Sequence, residues 1–350
     1  MERGPFTAGC SALSWHTEDG KHLWGRNYDF DRLAEGTQVT FLPRGARYAL
    51  VAGEQEAALR YACIGAGLLL PGTPVLYEGM NEHGLMGGQL YYRGFARYPA
   101  PACDGRRPVQ PPFLLLHLLG QCATVEEAVH CLEEEVHLAD LPFLGAVPPL
   151  HWSFSDRTGE TIVVEPDADG LHIYRNTLGV MTNSPGYPWH RTNLLNYAAL
   201  RDLDHAETSF GDGQDQCFSG SGAQGLPGDW SSPSRFVRLA FLRRFALPGR
   251  DETSGVSRML RLFQSAAFPL GAVRVSHQTP ATELDTAVLP YDYTVYTAVC
   301  CAESLRYYWT TYEGQQIQYL ELGALLERQV PFQVPLEAPP LFLPVTPDEQ

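Results

Sequence analysis

The chain predicts an α+β fold in which two sheets are sandwiched between helical layers. Two observations point there. Strand-like and helix-like runs alternate in blocks, in the order strands, two helices, strands, two or three helices, strands. No internal repeat and no linker interrupts the 350 residues, so one large core is expected rather than several. The expected organisation is a leader at residues 1–9, one domain at 10–335 and a Pro-rich tail at 336–350.

The strands announce themselves by alternation and by their turns. Residues 10–16 and 22–29 flank the polar turn Thr17-Glu18-Asp19-Gly20, a hairpin signature. Residues 37–42 and 48–51 predict a second hairpin around Pro43-Arg44-Gly45. Residues 75–79 and 84–92 continue the sheet across Asn81-Glu82-His83, with Gly87 and Gly88 marking a bulge or a close backbone approach. Residues 111–122 read as an almost wholly apolar buried helix. Thr124 then caps another, with Glu127 completing a capping box and Val125, Val129, Leu132 and Val136 on one face. The run 141–149 holds three prolines and cannot continue any helix. It reads as an apolar loop, either packed as a lid or lining a pocket.

Further strands are expected at 151–156, 161–165, 171–174 and 180–182, then a helix over 192–203. The Gly-rich stretch 211–228 lacks the lysine of a phosphate-binding loop. Ser232 and Pro233 start a helix that turns Phe236, Leu239 and Leu242 inward. Arg235 sits in its first turn, where a cation opposes the helix dipole, so it is expected to have another task. Val256, Met259, Leu260 and Phe263 define one more amphipathic helix. Strands close the chain at 294–302, 305–312 and 317–322.

Composition excludes several functions. A net charge of −15 argues against a nucleic acid partner and against an anionic membrane surface. No run approaches 18 apolar residues, so none spans a bilayer. The eight cysteines (Cys10, Cys63, Cys103, Cys122, Cys131, Cys217, Cys300 and Cys301) form no CxxC pair, and with no secretory signal they read as free thiols in a reducing cytoplasm. Adjacent Cys300 and Cys301 fit alternate faces of one strand. No cofactor or metal is expected.

The chemistry centres on Cys10. If Gly9–Cys10 is cleaved, this residue holds both a nucleophilic thiol and a free α-amine. A thiol of pKa about 8.5 is only a few per cent ionised at neutral pH and needs a base. An α-amine of pKa about 7.7–8.0 can take that proton and return it to a leaving amine. The hairpin is expected to set Arg26 and Asp29 beside the thiol. Other readings of Cys10 are a small buried apolar residue, a lipidated cysteine or a metal ligand. Residues 1–6 lack the basic and apolar regions that lipidation requires, and no second ligand stands at metal spacing.

Five motifs together resemble one known family. They are Cys10 itself, Gly25-Arg26-Asn27-Tyr28-Asp29, Asn81-Glu82-His83-Gly84-Leu85, Val180-Met181-Thr182-Asn183-Ser184-Pro185 and Ser232-Pro233-Ser234-Arg235-Phe236. In this order, from Cys10 to about Ile317, the chain resembles the choloylglycine hydrolases, N-terminal-nucleophile enzymes comprising bile salt hydrolases and penicillin V acylases. The resemblance implies a four-layer αββα sandwich of two mainly antiparallel sheets, loss of the residues before the cysteine, hydrolysis of linear amides and a homotetramer. The nine-residue leader is longer than the family's usual one.

The resemblance makes Cys10 the nucleophile, with Arg26 and Asp29 holding its thiol and amine. It has Asn183 donate its side-chain amide and Tyr91 its backbone N–H to the oxyanion, and Arg235 complete the charged ring. Each oxyanion donor is typically worth about 10²–10³ in rate. Without the resemblance, Asn183 reads as a turn residue before Ser184-Pro185.

The substrate is expected to be a small amide with an apolar acyl group, and Tyr28, Phe30, Tyr91, Leu141 and Phe143 are its candidate binding residues. Tyrosine at 91, where bile salt hydrolases usually carry asparagine, points to penicillin V acylase activity, as do Leu85-Met86-Gly87 and Asp292-Tyr293-Thr294. Bile salt hydrolysis is the alternative. Cleavage of acyl-homoserine lactones, and a non-catalytic binding protein with its leader intact, are further readings.

Overall fold

The computed structural model describes residues 9–53, 56–70, 74–102, 105–206, 211, 213, 218–276, 283–285 and 287–345. Two large sheets dominate it, and every pairing within them is antiparallel. One sheet has seven strands. Gly9–His16 lies between Val180–Met181 and His22–Phe30, and His22–Phe30 is flanked on its other side by the long strand Tyr291–Cys301. The other sheet has eight strands, with Met86–Tyr91 and Val75–Asn81 at its centre.

The apolar faces explain the layers. Leu13, Trp24, Val39, Ile64, Met80 and Val299 from both sheets share one core cluster. A second cluster lies under the helix Leu114–Gln121, which packs on the eight-stranded sheet. The helices Ser232–Phe245 and Glu252–Gln264 cover the seven-stranded sheet. The stacking is therefore helix, sheet, sheet, helix, as expected from the order of the runs.

The loop motif Asn81-Glu82-His83-Gly84-Leu85 turns out to be a clamp. Asn81 Oδ1 accepts the N–H groups of His83 and Leu85, closing the turn. Its Nδ2 donates to the carbonyls of Leu119 and Cys122 at 2.7 Å each, satisfying carbonyls at the end of the helix above. The polar residue ties sheet to helix.

Several local expectations are corrected. Gln38–Leu42 pairs with Cys63–Leu68 and Phe332–Val334, and Arg47–Ala49 pairs with Glu56–Ala58, so residues 37–51 form no hairpin. Gly88 marks no bulge: its pairing is in register, and a Cβ there would meet Trp24 at 2.5 Å. The close approach serves core packing rather than a ligand. Glu127 reaches back to the N–H of Ala123 instead of Thr124, leaving the capping box half made. That helix ends at Glu135 after a π-turn, and Val136 begins a strand. The helix expected over 192–203 is shifted to Tyr187–Asn193, followed by the 3-10 turn Leu194–Tyr197. Helix-compatible composition did not reveal Pro188 as its starting signal.

Six cysteines are free and buried, including Cys300 and Cys301, while Cys103 and Cys217 lie outside the described residues. Among the described residues no helix is long and apolar enough to cross a membrane. At the far end of the chain, Leu336 is buried and its carbonyl accepts the indole N–H of Trp309.

Candidate active site

Register decides which side chains meet. In the first hairpin Cys10 is opposite Tyr28, Ala12 opposite Arg26 and Gly9 opposite Asp29. Side chains alternate along a strand, so Cys10, Arg26 and Tyr28 share one face, while Asp29 shares the other with Ser11 and Asn27. The first face looks toward the second sheet and the other toward the helices. The expectation that thiol, guanidinium and carboxylate lie side by side therefore holds for Arg26 only. The charge of the Asp29 carboxylate raises the thiol's pKa, and the Asp29 backbone N–H lowers it.

Arg26 is diagonal to Cys10 and its Nη2 lies 2.7 Å from Sγ. The guanidinium is fully enclosed. Its Nη1 donates to the Gln89 carbonyl at 2.8 Å and lies 3.5 Å from a Glu78 oxygen. Glu78 is held in turn by the phenols of Tyr296 at 2.7 Å and Tyr307 at 2.8 Å. Burial raises the Cys10 thiol pKa, and the charge of Arg26 works against that rise. Glu78, Tyr296 and Tyr307 escaped sequence reasoning. Glu78 carried a signal: it has the same parity as Met80, buried between the sheets, and a carboxylate on a core face requires a partner.

Asn183 follows the short strand Val180–Met181, which pairs with Ala12 and Leu13. Its backbone is fixed by Ser232 Oγ, which accepts its N–H at 2.9 Å, and by His190 Nε2, 3.0 Å from its carbonyl. Its Oδ1 accepts the N–H of Cys10 at 2.8 Å and Arg235 Nη2 at 2.7 Å. The second contact fixes the amide's orientation, since a guanidinium only donates. Asn183 Nδ2 is thereby aimed at the Tyr91 carbonyl, 2.9 Å away.

Arg235 does have another task. From the start of its helix it donates to the carbonyls of Cys10 and Trp230 and to Ser11 Oγ at 2.8 Å. Asp29 lies on the same face, accepting from Thr294 Oγ1 while its Oδ2 is buried without a hydrogen-bond partner among the described residues. Burial pushes the Asp29 carboxyl up to about 6, against the pull of Arg235. Nearby Asp292 is pushed to about 8 by burial and by the charges of Asp31 and Asp29.

The thiol opens onto a chamber of about 660 Å³. Tyr28, Phe30, Tyr77 and Tyr91 supply its aromatic wall, and residues 143–146 with Pro148 supply the loop side. Tyr28 stacks on Tyr296 at 5.1 Å, Phe30 meets Tyr91 at 5.7 Å and Phe143 sits edge-on to Phe113 at 5.0 Å. The 141–149 loop thus lines a pocket. Of the five expected binding residues, Leu141 is the exception: it lies outside the chamber, its N–H turned to the Ala139 carbonyl.

Comparison with known proteins places this geometry. Residues 10–326 match the family model described as linear amide C–N hydrolases, choloylglycine hydrolase family. The bile salt hydrolase/transferase of Lactiplantibacillus plantarum is 33% identical, over 90% of this chain and 92% of that protein. A crystal structure of the conjugated bile acid hydrolase from Clostridium perfringens superposes with a TM-score of 0.86 at 29% identity, covering 96% of this chain and 100% of that one. Penicillin V acylase from Agrobacterium tumefaciens shares the fold, with a TM-score of 0.68 at 20% identity over 91% and 87% of the two chains.

Proposed function

Because the chain belongs to the choloylglycine hydrolase family, and is a hydrolase of linear amide C–N bonds, we propose that its substrates are amides with a large apolar acyl half, conjugated bile salts first. The observation that carries this is the 660 Å³ aromatic-walled chamber opening directly on Cys10. The curated relatives matching nine-tenths of the chain are bile salt hydrolases, which reverses the order of substrates drawn from Tyr91. Penicillin V becomes the second reading, kept for the aromatic ring at 91.

Removal of the leader converts the Cys10 amide nitrogen into an amine. The amine takes the thiol proton and Sγ attacks the substrate carbonyl, forming a C–S bond as the C=O electrons move to oxygen. Arg26, 2.7 Å from Sγ, stabilises the developing thiolate. Asn183, whose Oδ1 holds the Cys10 N–H, is the oxyanion donor that the family resemblance implies, and its Nδ2 must turn from the Tyr91 carbonyl or share its protons to serve there. Collapse expels the substrate amine, which takes the proton back, and water then hydrolyses the thioester.

Intact-mass measurement and a substrate panel test this. The mature protein is expected to begin at Cys10 and to cleave glycine- and taurine-conjugated bile salts faster than phenoxymethylpenicillin. An active protein that retains Gly9 defeats the amine-as-base step. A protein that keeps its leader, cleaves no amide and binds equally well as Cys10→Ala is a binding homologue instead.

A further inference from the structure

Asn183 has to be held from outside the sheet. It follows the two-residue strand Val180–Met181, which lies at the sheet's edge and pairs with Ala12 and Leu13. Past Met181 the ladder ends, and side chains take over. His151 Nε2 lies 2.9 Å from the Thr182 carbonyl and His190 Nε2 3.0 Å from the Asn183 carbonyl. A carbonyl only accepts, so both Nε2 atoms carry a hydrogen. Ser232 Oγ accepts the Asn183 N–H at 2.9 Å. The Thr182–Asn183 peptide is thus gripped at its oxygen by His151 and at its nitrogen by Ser232.

The two histidines are not alike. His190 stacks on Phe236 at 4.5 Å, and its Nδ1 is buried without a hydrogen-bond partner among the described residues. Burial holds this ring well below its usual pKa, at about 4, so it is neutral. His151 is clamped instead. Its Nδ1 lies 3.2 Å from Glu165 Oε1, and both side chains are buried. Glu165 stands on the neighbouring strand, one step past the paired Trp152 and Val164. It shares the parity of Val163, whose side chain is in the core between the sheets. Both Glu165 oxygens also accept the Tyr187 N–H, at 3.1 and 2.9 Å. Tyr92 lies flat on the His151 ring at 4.6 Å. A Cβ on Gly186 would meet Tyr92 OH at 2.7 Å and Glu165 Oε2 at 3.0 Å, so the cluster has no room to shift. The partner of one imidazole nitrogen decides what the other can do. Glu165 therefore fixes on Nε2 the hydrogen that the Thr182 carbonyl receives.

We propose that His151 and Glu165 form a positioning pair for the hydrolase reaction, holding the Thr182–Asn183 peptide so that the Asn183 amide keeps its aim. The assignment deepens the hydrolase reading above and rests on it. Neither residue lines the chamber. The effect runs through Thr182 to Asn183, whose Oδ1 accepts the Cys10 N–H at 2.8 Å.

The test follows cleavage of cholylglycine and phenoxymethylpenicillin by the mature enzyme, beside alkylation of Cys10 by iodoacetamide. H151F keeps a flat ring against Tyr92 but offers no donor. It should lower kcat about 10-fold or more, with KM changed less than about 3-fold. H151Q can return one N–H to the Thr182 carbonyl and should recover part of that loss. E165Q should lower kcat as well, and H151F/E165Q should cost no more than H151F alone, because the two act through one hydrogen bond. Alkylation should stay within about 2-fold of wild type, since Arg26 and the thiol are untouched. If H151F does not fold, H151Q and E165Q carry the same comparison. Alkylation falling in step with turnover, or turnover unchanged in the variants, overturns the positioning role and leaves the hydrolase reading standing. If the wild-type enzyme cleaves neither amide, the substrate reading fails and this assignment falls with it.

Discussion

Arg235 Nη2 lies 2.7 Å from Asn183 Oδ1 while its Nη1 donates to the Cys10 carbonyl, so one guanidinium bridges the nucleophile's own peptide and the amide beside it. Lysine carries the charge but cannot span both acceptors and Ser11 together. Hydrogen bonds to charged groups are worth about 1.5–3 kcal/mol each, so Arg235→Lys should lower kcat about 10²-fold or more, with a smaller change in KM. Steady-state kinetics check this, with a melting curve to show that the fold survives.

Asp29 places a buried carboxylate behind the site, one oxygen of it without a hydrogen-bond partner among the described residues. Its folded-state pKa is raised to about 6 from an ordinary 3.8. A raised acid contributes stability that is full below the unfolded value and is lost as pH climbs through the folded one. Ionised Asp29 thus costs about 3 kcal/mol at neutral pH. In a Cys10→Ala background, Asp29→Asn should gain stability relative to Asp29 between pH 4 and 6 and hold that gain at pH 7. Urea titrations at several pH values measure the gap; one that does not vary with pH contradicts the assignment.

Tyr91 separates the two substrate readings. Offset stacking of an aromatic acyl group is worth about 0.5–1.5 kcal/mol. Tyr91→Asn should therefore lower the ratio of penicillin V to bile salt kcat/KM by roughly 2–10-fold. Competition between the two substrates in one assay reads the ratio directly.

Gly9 has no room to grow. A Cβ there would lie 2.5 Å from the Phe268 ring. In the Cys10→Ala background, Gly9→Ala should cost about 1–3 kcal/mol by overpacking, and adding Phe268→Leu should recover most of it. Chemical denaturation of the four members of this cycle gives the coupling.

The layered fold and the core of the site were legible for a physical reason: both rest on local pattern. Alternation around Thr17-Glu18-Asp19-Gly20 defined the hairpin that carries Cys10 and Arg26, and the ill-placed charge of Arg235 at a helix start exposed its longer reach. What was not legible depends on distant pairing. Nothing local in residues 291–301 says that this strand lies beside His22–Phe30, bringing Thr294 to Asp29 and Tyr296 to Tyr28. The alternation that placed Arg26 also put Asp29 on the opposite face, a consequence available from parity alone. Leu141 was misplaced because composition identifies an apolar loop without saying which of its residues turn inward.

Cys10 and Arg26 hang from strands hydrogen-bonded on both sides, whereas part of the chamber wall comes from the connecting segments 143–148 and 283–285. Those segments can be exchanged, lengthened or reshaped without disturbing a single rung beneath the thiol. New acyl preferences are thereby open to gradual drift, while the bond-breaking apparatus is inherited whole.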